Sequence, residues 1–305
     1  MRIGIDLGGT KIELIALAKG GDTLRRERVA TPTNDYEATI RAMHDLVVRA
    51  EEALSERGSV GVAIPGTISA RTGLVKNANS TRLIGHPLDK DLAAALGRPV
   101  RVANDANCFA LSEATDGAAR NAKIVFGIIA GTGVGGGVVV DGRVLVGANA
   151  IAGEWGHNPL PSPSHAEVPG PDCYCGKCGC IESWLSGPAL ARQYKDATGR
   201  DLIATDIAAA AANGDAAARM IMEQFYDRFA RAIASVVNVI DPDAIVMGGG
   251  LSKIDTLYRE LPERIMRYAF TPEAPARVLR NVHGDSSGVR GAAWLWREDE
   301  LAHPA

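Results

Sequence analysis

The stretch RIGIDLGGTKIELIAL, from Arg2 to Leu17, decides the fold because it sets a glycine turn between two apolar strands. The same plan returns between Lys123 and Gly147, where KIVFGIIAGTGVGGGVVVDGRVLVG predicts a strand, a glycine turn and two further strands. Helices are expected after each hairpin, and Tyr36 to Leu54 and Ala216 to Ile240 show helical spacing of apolar residues. Two hairpins heading two halves predict two α/β lobes built on one plan, with a single mixed sheet as the alternative.

Length and composition narrow the class of protein. A chain of 305 residues is long enough for two domains with a sizeable core, and 46% hydrophobic residues is ordinary for a globular protein. The net charge of -3 and the pI near 6.1 leave no strongly basic surface, so nucleic acid is not expected as a partner. The start MRIGID lacks the features of a signal peptide, and the most apolar stretch, Val125 to Val140, is interrupted by six glycines. We therefore expect a cytoplasmic protein with no membrane partner.

The glycine turns are typical of phosphate binding. Glycine lets the backbone approach a ligand closely, so that free N–H groups contact phosphate oxygens, and a threonine hydroxyl adds a donor. Asp6 is suited to hold a hydrated Mg²⁺, which ATP chemistry requires. The candidate ATP-binding residues are Asp6, Gly8, Gly9, Thr10 and Lys11 in the first turn, Gly131, Thr132 and Gly133 in the second, and Gly249 and Gly250 after a later strand. The alternatives are ordinary hairpin turns and, for the last pair, a plain strand-to-helix turn.

Two better-known nucleotide motifs do not fit these glycines. Gly131, Gly133 and Gly136 match the dinucleotide pattern G-x-G-x-x-G, but that pattern needs a helix after the glycines, and a strand follows here. Lys11 lacks the spacing of a P-loop lysine. The turns are therefore assigned to neither motif.

Asp105 is the candidate general base. It follows a predicted strand and opens a helix, so a simple helix N-cap is the alternative role. A sugar hydroxyl is a poor nucleophile, and a positioned carboxylate can accept its proton as the γ-phosphoryl group is transferred. Asn104 would then bind a neighbouring hydroxyl. Asn79, in the amide-rich stretch KNANS, suits sugar recognition or an ordinary surface loop.

The cysteines indicate a metal site. Four of the five crowd into Cys173, Cys175, Cys178 and Cys180, which in a cytosolic chain favours metal binding over disulfides. His157 lies sixteen residues before the first of them, and one histidine with three of the four cysteines supplies the ligands of tetrahedral zinc. Such a site leaves no open position for a reactive water, so we expect the zinc to be structural.

Two carboxylates flank this cluster. Glu154 lies three residues before the histidine and Glu182 two residues after the last cysteine. A metal that ties the segments together would hold both carboxylates near each other, and carboxylates accept hydrogen bonds from sugar hydroxyls. Surface charge is the alternative for each of them.

Together these motifs resemble the ROK family of sugar kinases, repressors and related proteins, from residue 3 to about residue 297. Asp6 to Lys11 and Gly131 to Gly137 are similar to the two phosphate motifs of the family, and Ala103 to Asn107 is similar to its catalytic segment. The resemblance implies that Asp105 is the base and that Asn104 binds the sugar. It also implies the two-lobe actin-like, ribonuclease-H-like ATPase fold of the α/β class.

The same resemblance implies the metal ligands. GEWGH, ending at His157, and CYCGKCGCIE, ending at Glu182, are similar to the zinc and sugar signature of the family. The implied zinc ligands are His157, Cys173, Cys175 and Cys180, and the implied sugar ligands are Glu154, His157 and Glu182. Cys178 falls at a position that the signature leaves variable, so it is either free or a replacement for a neighbouring ligand.

The resemblance also implies a division of the chain and a reaction. The first lobe covers residues 1–118, with a C-terminal helix at about 287–305 packed back on it, and the second lobe covers 119–286 with the zinc knuckle. The segments GEWGHNPLP and HGDSSGVRGAAWLW most closely resemble those of bacterial fructokinases of the mannofructokinase kind. This resemblance implies transfer of the γ-phosphoryl group from MgATP to O6 of D-fructose. Glucokinase, mannokinase and amino-sugar kinase of the same family are the alternatives. A homodimer is expected from the family.

Two further classes of function remain to be weighed. A sugar-responsive transcriptional regulator of the family would need a DNA-binding helix-turn-helix before Arg2, which this sequence does not show. A non-catalytic sugar-binding protein would be expected to lack the base, yet Asp105 and both phosphate turns are present. The enzyme is therefore the favoured class.

Overall fold

The computed structural model describes residues 1–33, 35–78, 81–273 and 277–301. The chain divides into two compact units. The first comprises Met1–Arg120, Gly142–Ala152 and the C-terminal residues from Asp285, and the second comprises Asn121–Asp141 and Gly153–Gly284. Residues 142–152, which the sequence placed in the second lobe, group with the first unit. Among the described residues, no helix combines the length and the apolar composition needed to span a membrane.

The secondary structure follows the predicted alternation of strands and helices. The strands are β1 (Arg2–Leu7), β2 (Lys11–Leu17), β3 (Thr23–Ala30), β4 (Ser59–Ile64), β5 (Thr67–Ile68), β6 (Val75–Lys76), β7 (Val100–Asn104), β8 (Ile124–Ala130), β9 (Val134–Val140), β10 (Arg143–Val144), β11 (Ala244–Gly248) and β12 (Arg277–Arg280). The helices are α1 (Tyr36–Leu54), α2 (Leu88–Leu96), α3 (Asp105–Thr115), α4 (Ile181–Leu185), α5 (Gly187–Thr198), α6 (Ala204–Ala212), α7 (Ala216–Ile240), α8 (Thr256–Met266), α9 (Ser287–Trp294) and α10 (Glu298–Leu301). Short 3-10 turns cover Thr81–Leu83, Trp155–His157, His165–Glu167, Gly250–Lys253 and Gly284–Ser286.

The first unit is built on a sheet with the strand order β3-β2-β1-β4-β7. β1 pairs antiparallel with β2, as the opening hairpin predicts, whereas β4 lies parallel to both β1 and β7. One face of the sheet buries apolar residues such as Ile3 and Ile5 against α1, whose stripe includes Met43 and Leu46. Asp35 caps the start of α1, because its carboxylate accepts a hydrogen bond from Ala38 N–H at 2.8 Å.

The C-terminal helix α9 packs closely on the other face of this sheet. A Cβ atom on Gly4 would lie 2.0 Å from Val289 O, and one on Gly61 would lie 1.9 Å from Ala292 O. Glycine in β1 and β4 therefore lets the helix backbone touch the sheet. On the far side of α9, a Cβ atom on Gly291 would lie 1.6 Å from the Cys108 carbonyl of α3. The sheet, α9 and α3 are therefore held together by backbone contacts that no residue larger than glycine would allow.

The second unit repeats the plan of the first. Its sheet contains the strand order β9-β8-β11-β12, in which β8 and β9 form an antiparallel hairpin and β11 lies parallel to β8 and β12. Its core is centred on α7, where Phe225 and Phe229 pack with Phe126 of β8 and Met247 of β11. Two sheets, each with a hairpin beside parallel strands, confirm the predicted α/β class. The alternative of a single mixed sheet is wrong.

Candidate functional site

The first glycine turn joins β1 to β2 and is fixed at both ends. Gly8 N–H donates to Lys11 O at 3.0 Å and closes the turn. Thr31 holds it from beside β3, because its hydroxyl donates to Gly8 O and its N–H donates to Thr10 O, each at 3.0 Å. Gly9, Thr10 and Lys11 are exposed. The predicted phosphate residues of the first unit thus form an ordered and accessible turn.

Asp6 and Asp105 share one edge of the first sheet. Asp6 lies near the end of β1, and Asp105 follows β7, so the parallel arrangement of β1, β4 and β7 brings these strand ends to the same edge. Burial, followed by the nearby charges of Asp105 and Glu13, raises the pKa of the Asp6 carboxyl to about 6. Glu13 faces Asp6 directly across the β1–β2 pair. The site therefore contains a carboxylate whose ionisation is opposed by its neighbours.

Asn104, rather than Asp105, is the N-cap of α3. The amide oxygen of Asn104 accepts hydrogen bonds from Ala106 N–H at 2.9 Å and from Asn107 N–H at 3.4 Å. Asp105 is the first residue of the helix, and its Oδ1 accepts from Ala106 N–H at 2.8 Å. Asp105 is therefore not the N-cap of α3. Because the amide oxygen of Asn104 serves as the cap, Asn104 would contact a ligand through its amide nitrogen. The predicted sugar ligand Asn79 lies outside the described residues.

The second glycine turn joins β8 to β9 and meets the third glycine run. A Cβ atom on Gly249 would lie 2.4 Å from Ala130 O, and one on Gly131 would lie 3.4 Å from Gly250 N. Gly249 has φ +79, in the left-handed region that favours glycine. The structure thus brings the predicted residues Gly131 to Gly133 together with Gly249 and Gly250.

Four side chains form a compact cluster with the donor set of a zinc site. The ligand atoms of His157, Cys173, Cys175 and Cys180 all lie within 4.8 Å of one another. Cys173 Sγ lies 3.6 Å from His157 Nδ1, and Cys175 Sγ lies 3.6 Å from Cys180 Sγ. A tetrahedral zinc with bonds of about 2.3 Å to sulfur and about 2.0 Å to nitrogen requires S–S and S–N separations of about 3.8 and 3.5 Å. The residues therefore fit the metal that the sequence predicts.

Cys178 points away from this cluster. Its thiol donates to Asp172 Oδ1 at 3.2 Å, and the two residues also form an isolated β-bridge. Gly176 and Gly179 on either side have φ +86 and φ +69, so the chain turns sharply around Cys178. Cys178 therefore lies outside the four-residue cluster, which favours the ligand set implied by the resemblance.

The carboxylates Glu154 and Glu182 lie on the segments that carry the cluster. The turn after Glu154 is held against β9, since Trp155 Nε1 donates to Gly135 O at 3.1 Å. Glu182 is in the first turn of α4, directly after Cys180. Ile181 N–H donates to Asn158 O at 2.9 Å and ties the two segments together. These predicted sugar residues are therefore neighbours of the metal cluster within one unit.

Tyr174 is a site residue that the sequence analysis missed. Its hydroxyl lies 3.1 Å from His157 Nε2, and the two rings meet edge to face. Desolvation of the hydroxyl, together with the charges of Glu182 and Glu154, raises the pKa of Tyr174 to about 12. A metal on Nδ1 would leave the proton on Nε2 of the histidine, and this N–H would then donate a hydrogen bond to the Tyr174 hydroxyl. Its position between the predicted ligands Cys173 and Cys175 was the feature of the sequence that could have indicated it.

A buried ion cluster anchors the chain between the histidine and the cysteines. Glu167 accepts hydrogen bonds from Arg228 Nε at 2.7 Å and from Arg231 Nη2 at 2.9 Å, both on α7. Burial opposes the charge of Glu167, but hydrogen bonds from Arg231, Ser164 N–H and Arg228 outweigh it and lower the pKa to about 2. Sequence patterns gave no sign of this anchor, because Arg228 and Arg231 lie more than sixty residues from Glu167 along the chain.

Comparisons with known proteins agree with this architecture. The model of the ROK family matches residues 2–299. The N-acetyl-D-glucosamine kinase of Yersinia enterocolitica is 41% identical over 97% of this chain and 99% of its own length, and that of Vibrio cholerae is 40% identical over 97% and 99%. The ROK hexokinase of Thermus thermophilus has a TM-score of 0.86 at 33% identity, covering 99% of both chains. A ROK glucokinase of Streptomyces griseus, solved with glucose and AMPPNP, has a TM-score of 0.77 at 29% identity, covering 97% of this chain and 99% of its own.

The two α/β units with their glycine turns, together with the family match over residues 2–299, define the class of the protein. The chain belongs to the ROK family, and it is a sugar kinase with the two-lobe actin-like ATPase fold. The curated relatives named above are N-acetyl-D-glucosamine kinases, so they do not support the expected likeness to fructokinases.

Proposed function

We propose that this kinase transfers the γ-phosphoryl group of ATP to O6 of N-acetyl-D-glucosamine. The choice of sugar is carried by one observation, the 41% identity to an N-acetyl-D-glucosamine kinase over 97% of this chain. This identity favours the amino-sugar alternative over D-fructose, which the sequence motifs alone had favoured. The use of ATP is supported by the relative solved with glucose and AMPPNP.

The first unit would supply the base and part of the phosphate site. Asp105 would accept the proton of the sugar hydroxyl, and its place at the start of α3 fixes the carboxylate through Ala106 N–H. Asn104 would bind a neighbouring hydroxyl through its amide nitrogen, because its oxygen serves the cap. Asp6 would hold Mg²⁺, which neutralises phosphate charge when bound. Asn79 stays a prediction.

The second unit would supply the remaining phosphate contacts and the sugar carboxylates. Gly131 to Gly133, with Gly249 and Gly250, form one glycine-lined surface on which phosphate or ribose could lie. Glu154 and Glu182 would accept hydrogen bonds from sugar hydroxyls. Zinc in the His157 cluster would act structurally, by tying the segment of Glu154 to the segment of Glu182.

A coupled kinase assay over a sugar panel tests the proposal. With MgATP, we expect the highest kcat/KM for N-acetyl-D-glucosamine among that sugar, N-acetyl-D-mannosamine, glucose, mannose and fructose. Phosphorus NMR of the product should show a 6-phosphate. A higher kcat/KM for fructose would identify fructose as the preferred substrate, and no turnover with any of the five would contradict the proposal. Light scattering would check the expected homodimer.

A further inference from the structure

Glu182 contacts the second glycine turn as well as standing beside the metal cluster. Its Oε2 accepts a hydrogen bond from Val134 N–H at 2.8 Å, across 48 residues of sequence. A Cβ atom on Gly133 would lie 2.5 Å from the same oxygen. The carboxylate therefore rests directly on the turn that is proposed to bind phosphate.

The segment that carries Glu182 holds the turn at a second point. Gly187 N–H donates to Gly131 O at 2.7 Å, and Ser186 N–H donates to Glu182 O at 3.1 Å. The first turn of α4 thus holds the glycine turn through a side chain, and the start of α5 holds it through the backbone. Because α4 begins immediately after the cluster residue Cys180, the metal cluster, α4 and the turn form one connected structure.

The other oxygen of Glu182 is available for a second contact. Among the residues that the structure describes, Oε1 has no hydrogen-bond partner, and the side chain is only partly buried. A carboxylate can accept hydrogen bonds on both oxygens at once. A sugar hydroxyl on Oε1 would fix the side chain in the orientation that keeps Oε2 on Val134 N–H.

We propose that Glu182 is a positioning residue that couples sugar binding to the order of the phosphate-binding turn. The inference rests on the proposed function, since it uses the same sugar and nucleotide. Sugar on Oε1 would favour the turn conformation that binds ATP, and ATP on the turn would favour sugar to the same extent, because coupling between two binding equilibria is reciprocal.

Calorimetric titration with a non-hydrolysable ATP analogue and Mg²⁺ measures this coupling. In the wild-type protein, saturating N-acetyl-D-glucosamine should tighten analogue binding about tenfold. Glu182→Gln replaces the charged acceptor by a neutral one, so the tightening should fall to within about twofold of none. Glu154→Gln is the matched control, because it removes a proposed sugar carboxylate for which the structure shows no contact with the turn among the described residues. At saturating sugar it should keep the wild-type tightening.

The outcomes separate this inference from the function on which it rests. If the wild-type protein shows no tightening, or if both variants lose it equally, the coupling role is wrong even though the kinase is active. If the sugar panel shows no substrate, the proposed function fails, and analogue binding without sugar then decides the inference. In that titration Glu182→Gln should bind the analogue about fivefold more weakly than wild type does, whereas Glu154→Gln should bind it as tightly as wild type. Equal affinity of both variants for the analogue would show that the contact between Glu182 and the turn has no role in nucleotide binding. Zinc content per chain, measured on every variant, shows whether the cluster stays intact.

Discussion

Replacing Asp6 with asparagine should stabilise the protein while removing its activity. The pKa of Asp6 is raised from 3.8 to about 6, first by burial and then by the charges of Asp105 and Glu13. Each pKa unit corresponds to about 1.4 kcal/mol, so ionising Asp6 costs the folded state at most about 3 kcal/mol more than the unfolded state at pH 8. Asp6→Asn keeps the shape of the side chain and removes that cost.

The pH dependence of this gain follows from the direction of the shift. Well below pH 3.8 the carboxyl is protonated in both states, so it makes no difference to folding. As the pH rises from there through the folded pKa of about 6, the wild-type protein loses stability and the variant does not. The advantage of Asp6→Asn should therefore be about 1.6 kcal/mol at pH 5 and at most about 3 kcal/mol at pH 8.

Urea unfolding followed by circular dichroism at pH 5 and pH 8 would measure both values. Asp22→Asn is the matched control, since Asp22 is an exposed acid of the same unit, and it should change the free energy of unfolding by less than about 0.5 kcal/mol. In the kinase assay Asp6→Asn should lose nearly all turnover, because the proposed magnesium ligand is gone. A variant no more stable than wild type at pH 8, or one whose advantage is the same at both pH values, would refute the reasoning.

Three other variants, two of them with a matched control variant, test separate parts of the structure. Asp105→Asn should lower kcat by about 10²- to 10⁴-fold and keep sugar binding by calorimetry, and near-normal kcat would exclude Asp105 as the base. Cys175→Ser should lose most of the zinc found by metal analysis, whereas Cys178→Ser should keep it, because Cys178 faces Asp172 and not the cluster. Gly291→Ala should destabilise the protein by about 1–3 kcal/mol or more, since the new methyl would meet Cys108 O, although alanine otherwise favours a helix. Gly20→Ala, with open space around it, is the control for that variant, and equal stability of the two would contradict the packing of α3 on α9.

Local patterns were enough to predict the main elements of the fold. The two hairpins were visible because a glycine turn between apolar strands is a short-range signal. Helices α1 and α7 have the bounds that their apolar spacing predicts, and the donor set of the metal cluster was evident from four closely spaced cysteines and one histidine. The choice among the cysteines was not visible from spacing alone, because it depends on the left-handed glycines that turn Cys178 toward Asp172.

Other features required coordinates because they depend on a single position or on distant partners. Asn and Asp are equally good helix caps, so ANDAN could not show that Asn104 is the cap and Asp105 the first helical residue. Glu167 is held by Arg228 and Arg231, which lie far along the chain. The substrate also lies beyond such patterns, because sugar kinases of one fold share the same motifs.

Gly133 shows how one residue can satisfy two physical requirements. The sequence predicts that this glycine allows phosphate to approach the backbone closely. The structure adds a second reason, since a side chain at this position would meet Glu182 Oε2 at 2.5 Å. Both reasons act on the same turn, and Glu182 is attached through α4 to the metal cluster. A structural metal at this place would therefore influence the proposed nucleotide site as well as the proposed sugar site, because α4 begins directly after the last cysteine of the cluster and carries the carboxylate on the turn.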